Sequence, residues 1–173
     1  MTFAAPSVWL LALFPAGVII AALKDAVSFT IPNWVSGLLA LAFFPAALAA
    51  HLPLGVIGLS ALIGAGALIA GMGMFALGWC GGGDAKLMAA VVLWLGLRGL
   101  PSFILVTALA GGALALGLIL ARRNILAGFA ASGPAWLGRL LAEDGDLPYG
   151  LAIAVGALAA FPSSAVVAAV TGG

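Results

Sequence analysis

Apolar residues run through this chain in long blocks, and the breaks between blocks are short. Charges, prolines and small polar clusters delimit six runs: Val8 to Leu23, Trp34 to Ala50, Leu54 to Leu77, Ala85 to Leu97, Phe103 to Ala121 and Tyr149 to Val170. A helix needs about 20 apolar residues to cross a hydrocarbon core of roughly 30 Å. The pattern therefore predicts an all-α, polytopic membrane protein of about six transmembrane helices, forming a single domain over residues 1–173. The fourth run is short for a full crossing, so it is expected to reach back into the glycines before it. The first run lacks a basic segment ahead of it and is followed by five more, so it reads as mature structure rather than a signal peptide.

Composition supports the same picture. Hydrophobic residues make up 65% of the 173 positions and charged residues 6%, and mean hydropathy is +1.33. Six Lys and Arg with five Asp and Glu cannot clothe a soluble fold, and a disordered chain would need far more charge. A net charge of +1 leaves no basic stripe for nucleic acid. The one cysteine, Cys80, excludes a disulfide framework and every multi-cysteine zinc site.

The cations orient the chain. Lys24, Lys86, Arg122, Arg123 and Arg139 fall in the first, third and fifth connections, and Arg98 alone falls in the fourth. The positive-inside rule then places both termini outside and the odd connections in the cytoplasm. The polar stretch Arg122 to Leu147 contains Trp136, Leu137, Leu140 and Leu141 around Arg139. It is expected to be either a short helix in the interface or a loose connector. No internal repeat is visible. Gly64, Gly66, Gly71, Gly73 and Gly78 are expected to let helices approach closely. They do not form a phosphate loop, because no βαβ unit precedes them.

Three of the five acids, Glu143, Asp144 and Asp146, sit in the polar fifth connection, where water solvates them. Asp25 ends the first run and Asp84 begins the fourth, both on the side assigned to the cytoplasm. Acids at membrane depth are costly and mark functional sites. The ordinary reading is that Lys24–Asp25 and Asp84–Lys86 anchor helix ends, or that Asp84 caps its helix. Brought together, two carboxylates share one proton, and the pair can activate water while polarising a carbonyl. Gly81, Gly82 and Gly83 would let an extended backbone come close. The other catalytic sets are weaker. His51 lies on the opposite side from Cys80 and the acids. A Lys24–Ser28 dyad needs a lysine that has lost its proton beside Asp25. A metal would need more ligands than Asp25, Asp84 and a distant histidine.

These residues resemble the type IV prepilin leader peptidases. Gly81, Gly83 and Asp84 form the family's G-x-G-D arrangement, followed by Lys86. Asp25 with Ile31, Pro32 and Asn33 is similar to its first aspartate segment. Pro148, Tyr149 and Gly150, with Ala152, Ile153, Ala154 and Gly156, are similar to its late Pro-Tyr-Gly segment. The resemblance implies a cofactor-free aspartic endopeptidase of the cell inner membrane that cuts prepilins on the cytoplasmic side. Asp25 and Asp84 would be the catalytic pair, with Gly81, Gly83, Lys86, Pro32, Asn33, Pro148, Tyr149 and Gly150 supporting them. The implied partners are the prepilin, through leader and apolar helix, and the lipid bilayer. Basic leader residues would meet Glu143, Asp144 or Asp146. Lys86 would either act on Asp84 by proximity or anchor its helix in the lipid headgroups. Longer family members carry a Cys-x-x-Cys domain and N-methylate the product. This chain has neither motif, so it resembles the short Tad/Flp-type forms, and methyl transfer is expected to be absent. The competing class is a small proton- or cation-coupled transporter using the same two aspartates, and a non-catalytic scaffold is a third. The whole expectation requires residues 25 and 84 to come together in space.

Overall fold

The computed structural model describes residues 6–123, 135–142 and 147–172. Its elements are all helical: α1 (Pro6–Ser28), α2 (Asn33–Ala49), α3 (Leu54–Ala76), α4 (Gly82–Arg123), α5 (Ala135–Leu141), α6 (Tyr149–Ala160), a 3₁₀ turn (Phe161–Ser163) and α7 (Ala165–Thr171). No strand occurs among the described residues.

Among the described residues, three helices are long and apolar enough to cross a membrane, and a fourth span results if α6 and α7, bent by 42°, are taken together. The difference from the expected six lies at two places. α2 has 17 residues, at the lower limit of the roughly 17–25 a crossing takes. The fourth and fifth expected spans follow one another directly within α4, as two helical segments, 82–95 and 97–123, that meet at a kink. No loop separates them around Arg98 and Pro101. The chain instead breaks at Gly96, with φ 57° and ψ −164°, a backbone conformation essentially reserved for glycine. The sixth run is likewise divided, because Pro162 falls in the 3₁₀ turn and Ser164 starts α7 by accepting the Val167 N–H.

Lipid removes most of the hydrophobic drive for helices to pair, so close approach of backbones must supply the contact. That is how the bundle is built. A Cβ on Gly17 would lie 2.6 Å from a Leu39 methyl, one on Gly64 3.0 Å from Leu93 Cβ, and one on Gly71 3.0 Å from Ala85 Cβ. Gly66 and Gly73 face open space and Gly78 takes φ 73° in the turn after α3. Of the five glycines expected to pack helices, only Gly64 and Gly71 do so, because they alone share the face turned to α4. The centre of the molecule is aromatic. Phe14 stacks on Phe161 at 4.3 Å and tilts against Trp94 at 5.4 Å, and Phe43 meets Trp94 edge-on at 5.8 Å. Each such pair contributes about 1 kcal/mol beyond its buried area. The Trp94 indole N–H donates to the Leu39 carbonyl at 2.8 Å, which fixes α4 to α2. This centre ties α1, α2, α4 and the 3₁₀ turn together and leaves their ends at one side to shape the site.

Candidate active site

Asp25 lies one turn before the end of α1 and is 5% exposed. Its Oδ2 accepts the Gly150 N–H at 2.7 Å. Gly150 is the second residue of α6, so its N–H has no acceptor within the helix, and the positive end of the helix dipole faces the carboxylate. Pro148 is fully buried and starts α6 in place. The approach requires glycine, because a Cβ on Gly150 would stand 2.8 Å from Asp25 Oδ2 and 2.9 Å from Asp25 Cβ.

Asp84 occupies the first turn of α4. Its Oδ2 reaches back to the Gly81 N–H at 3.3 Å, and the Gly81 carbonyl accepts the Ala85 N–H at 3.1 Å. This is the carboxylate half of a capping box, so Asp84 caps its helix as the ordinary reading held. Gly83 lets the start of α4 lie on Ile31, whose Cβ would be 3.1 Å from an added Cβ. Pro32 is the extended residue before α2, and Asn33 begins that helix. Lys86 Nζ donates to Asn33 Oδ1 at 2.9 Å. Lys86 thus ties α4 to α2, a role different from both expected ones. The three sequence segments, some sixty residues apart from one to the next, meet at one end of the molecule.

Both carboxylates line one cavity of about 480 Å³, together with Phe29, Trp79, Cys80 and Tyr149. The Cys80 thiol donates to the Gly71 carbonyl at 3.7 Å. Burial first, and the charge of Asp84 second, push this thiol above its ordinary value. Sequence reasoning missed Phe29 and Trp79, whose only signal is that each lies within five residues of one aspartate. Phe29 follows α1 with φ 55°, its N–H bonded to the Asp25 carbonyl at 2.8 Å. That left-handed turn aims the chain toward Ile31. The Arg139 guanidinium of α5 sits 5.6 Å over the Phe29 ring, and Arg122 donates twice to the Leu140 carbonyl. Of the two alternatives for the 122–147 stretch, a short helix is present around Arg139 and is tied to the rim of the cavity, while 124–134 and 143–146 lie outside the described residues.

The weaker catalytic sets do not assemble. Ser28 Oγ donates to the Lys24 carbonyl at 2.7 Å rather than facing its ammonium. His51 sits in the turn beyond α2, about 25 Å of helix from Asn33. Among the described residues no three His, Cys, Asp or Glu side chains are grouped to hold a metal. Glu143, Asp144 and Asp146, expected to receive basic residues, lie outside the described residues.

Two carboxylates on a shared cavity, each held by a backbone N–H, can activate a water and protonate a carbonyl oxygen without a metal. No curated protein and no solved structure gives a significant match to the chain. A family model, described as the type IV leader peptidase family, matches residues 12–116. That stretch contains Asp25, the Ile31-Pro32-Asn33 segment, Asp84 and Lys86, and it ends before Gly150. With most of its length under that match, the chain belongs to the type IV leader peptidase family.

Proposed function

We propose that this chain is a membrane-embedded aspartic endopeptidase that removes the leader of type IV, Flp-like prepilins at the cytoplasmic face of the inner membrane. The family match supports a leader peptidase, and the single observation that carries the aspartic mechanism is the cavity lined by both Asp25 and Asp84. The ionised member of the pair takes a proton from water, and the hydroxide oxygen attacks the scissile carbonyl carbon. The protonated member donates to the carbonyl oxygen. Collapse of the tetrahedral intermediate breaks the C–N bond, and a proton passes to the leaving amine. The shared proton belongs to the pair rather than to either residue. Gly150 and Gly81 N–H groups hold one oxygen of each carboxylate, which leaves the others for water and substrate. The positive-inside pattern supports a cytoplasmic site, with both termini outside and six apolar segments embedded. The proposed reaction ends with cleavage, without methyl transfer to the new amino terminus.

The test is co-expression with a prepilin and its leader-dependent gel shift. Asp25→Asn and Asp84→Asn should each abolish the shift while the protein still inserts at normal levels. Processing by both variants would end the reading. The mass of the product's amino terminus should be that of the unmodified residue.

A further inference from the structure

The helices that carry the two aspartates make little contact with each other. α1 packs on α2 and α6, and α4 packs on α2, α3 and α6. Helices α2 and α3 scarcely touch, so each meets α4 separately. Among the described residues no hydrogen bond joins the Asp25 and Asp84 side chains, and each is held by its own backbone N–H. The glycine contacts that bring α6 onto α4 lie beyond the kink, where a Cβ on Gly156 would stand 3.0 Å from the Phe103 carbonyl oxygen. The spacing of the pair therefore has to be transmitted through an intermediary, and α2 packs on both helices.

The lead-in to α2 runs from one aspartate to the other. Phe29 donates its N–H to the Asp25 carbonyl at 2.8 Å and turns the chain. Ile31, 7% exposed, then comes to rest on the start of α4, where a Cβ on Gly83 would lie 3.1 Å from Ile31 Cβ and 3.3 Å from its carbonyl oxygen. Asn33 Oδ1 accepts from the Lys86 ammonium at 2.9 Å. A second polar contact between α2 and α4 lies deeper, from the Trp94 N–H to the Leu39 carbonyl at 2.8 Å. Trp94 is about 15 Å along the helix from Asp84. With that contact alone, a pivot of about 4° at Trp94 would carry Asp84 through about 1 Å. Packing of Gly83 on Ile31 stops the helix start from moving inward, and the Lys86–Asn33 bond stops it from moving away. Two residues apart on one helix, Lys86 and Asp84 do not face each other, so the ammonium is turned to α2 and not to the carboxylate.

We propose that Lys86 and Asn33 are positioning residues of the peptidase: their hydrogen bond pins the start of α4 to the lead-in of α2 and so sets the spacing of Asp25 and Asp84. The pair acts through the aspartates and not on the substrate. The role rests on the peptidase reading and adds what keeps the two carboxylates in register. Carboxylates share a proton only at short range, and a reacting group misplaced by about 1 Å loses on the order of a hundredfold in rate. Release of the pin therefore acts on kcat and leaves substrate binding alone. A lysine charge acting directly on Asp84 would not need Asn33. A headgroup anchor would need neither Asn33 nor any link to kcat.

The test is a double-mutant cycle on the full-length enzyme in detergent with a purified prepilin, kcat being expressed per folded protein recovered from gel filtration. Lys86→Met and Asn33→Leu should each lower kcat about tenfold with KM within about twofold of the wild type. The double variant should be no slower than either single one, because both remove the same contact. Asn33→Asp keeps an acceptor for the ammonium and should hold kcat within about threefold. Lys86→Gln and Asn33→Ala take their places in the cycle where an apolar variant fails to accumulate. A slow Lys86→Met beside a normal Asn33→Leu assigns the lysine to its charge and overturns the pair. Losses that multiply, or a raised KM with kcat unchanged, overturn it as well. Normal kcat in both variants, with the wild type active, overturns the positioning role alone. A wild type that does not cleave overturns the peptidase reading, and this role with it.

Discussion

At the scale of single residues the site depends on atoms that are missing as much as on those present. An added methyl at Gly150 would collide with the Asp25 carboxylate at 2.8 Å, and the side chain must swing away. Displacement of a reacting group by about 1 Å costs on the order of a hundredfold. Gly150→Ala should therefore lower kcat about a hundredfold with the protein still inserted, read from prepilin conversion against membrane abundance. Cys80 offers a reporter of its neighbour. Burial and the Asp84 charge both disfavour its thiolate, which is the reactive form. Alkylation by iodoacetamide should be slow at neutral pH. Asp84→Asn removes a negative charge, favours the thiolate and should speed the labelling. Unchanged labelling would separate Cys80 from Asp84. The two aspartates were legible in the sequence because acids flanking apolar helices are rare. The role of Gly150 was legible only through resemblance, since hydrophobic pattern says nothing of which distant N–H a carboxylate will find. Phe29 and Trp79 were not legible, because an aromatic residue near a membrane boundary has many ordinary uses.

At the scale of elements, hydrophobic runs located the helices well and their interruptions poorly. α3 runs Leu54–Ala76 against an expected Leu54 to Leu77. α4, by contrast, passes through Arg98 and Pro101, where a connection was expected, and breaks at Gly96. Charge and proline mark loops in water, but in lipid neighbouring helices can satisfy the groups a proline frees. What decides the break is one backbone conformation, and glycine is too common here for that position to stand out. Gly96→Ala would force a side chain into that conformation at a cost of about 1–3 kcal/mol, with its Cβ also 3.1 Å from Ser60 Oγ. The expected result is a lower midpoint in a detergent denaturation series. An unchanged midpoint would mean that residues 82–95 and 97–123 are oriented by something other than Gly96.

At the scale of the whole molecule, the three motif segments converge without a metal-ligand set among the described residues. Prepilin cleavage is therefore expected to survive EDTA in purified, detergent-solubilised enzyme, and inhibition by the chelator would redirect the mechanism. The class of fold was legible from hydropathy and charge alone. Convergence was not, because it depends on contacts between segments far apart in the chain, and on α2 and α3 standing apart when adjacency would pair them.

The hydrogen bond from Gly150 to Asp25 joins positions 125 residues apart. Translation therefore makes the carboxylate long before the amide that holds it. A nascent chain that stops short of α6 has an Asp25 without this hydrogen bond. Whatever depends on the held orientation of that carboxylate must wait until residue 150 has been made and folded into place.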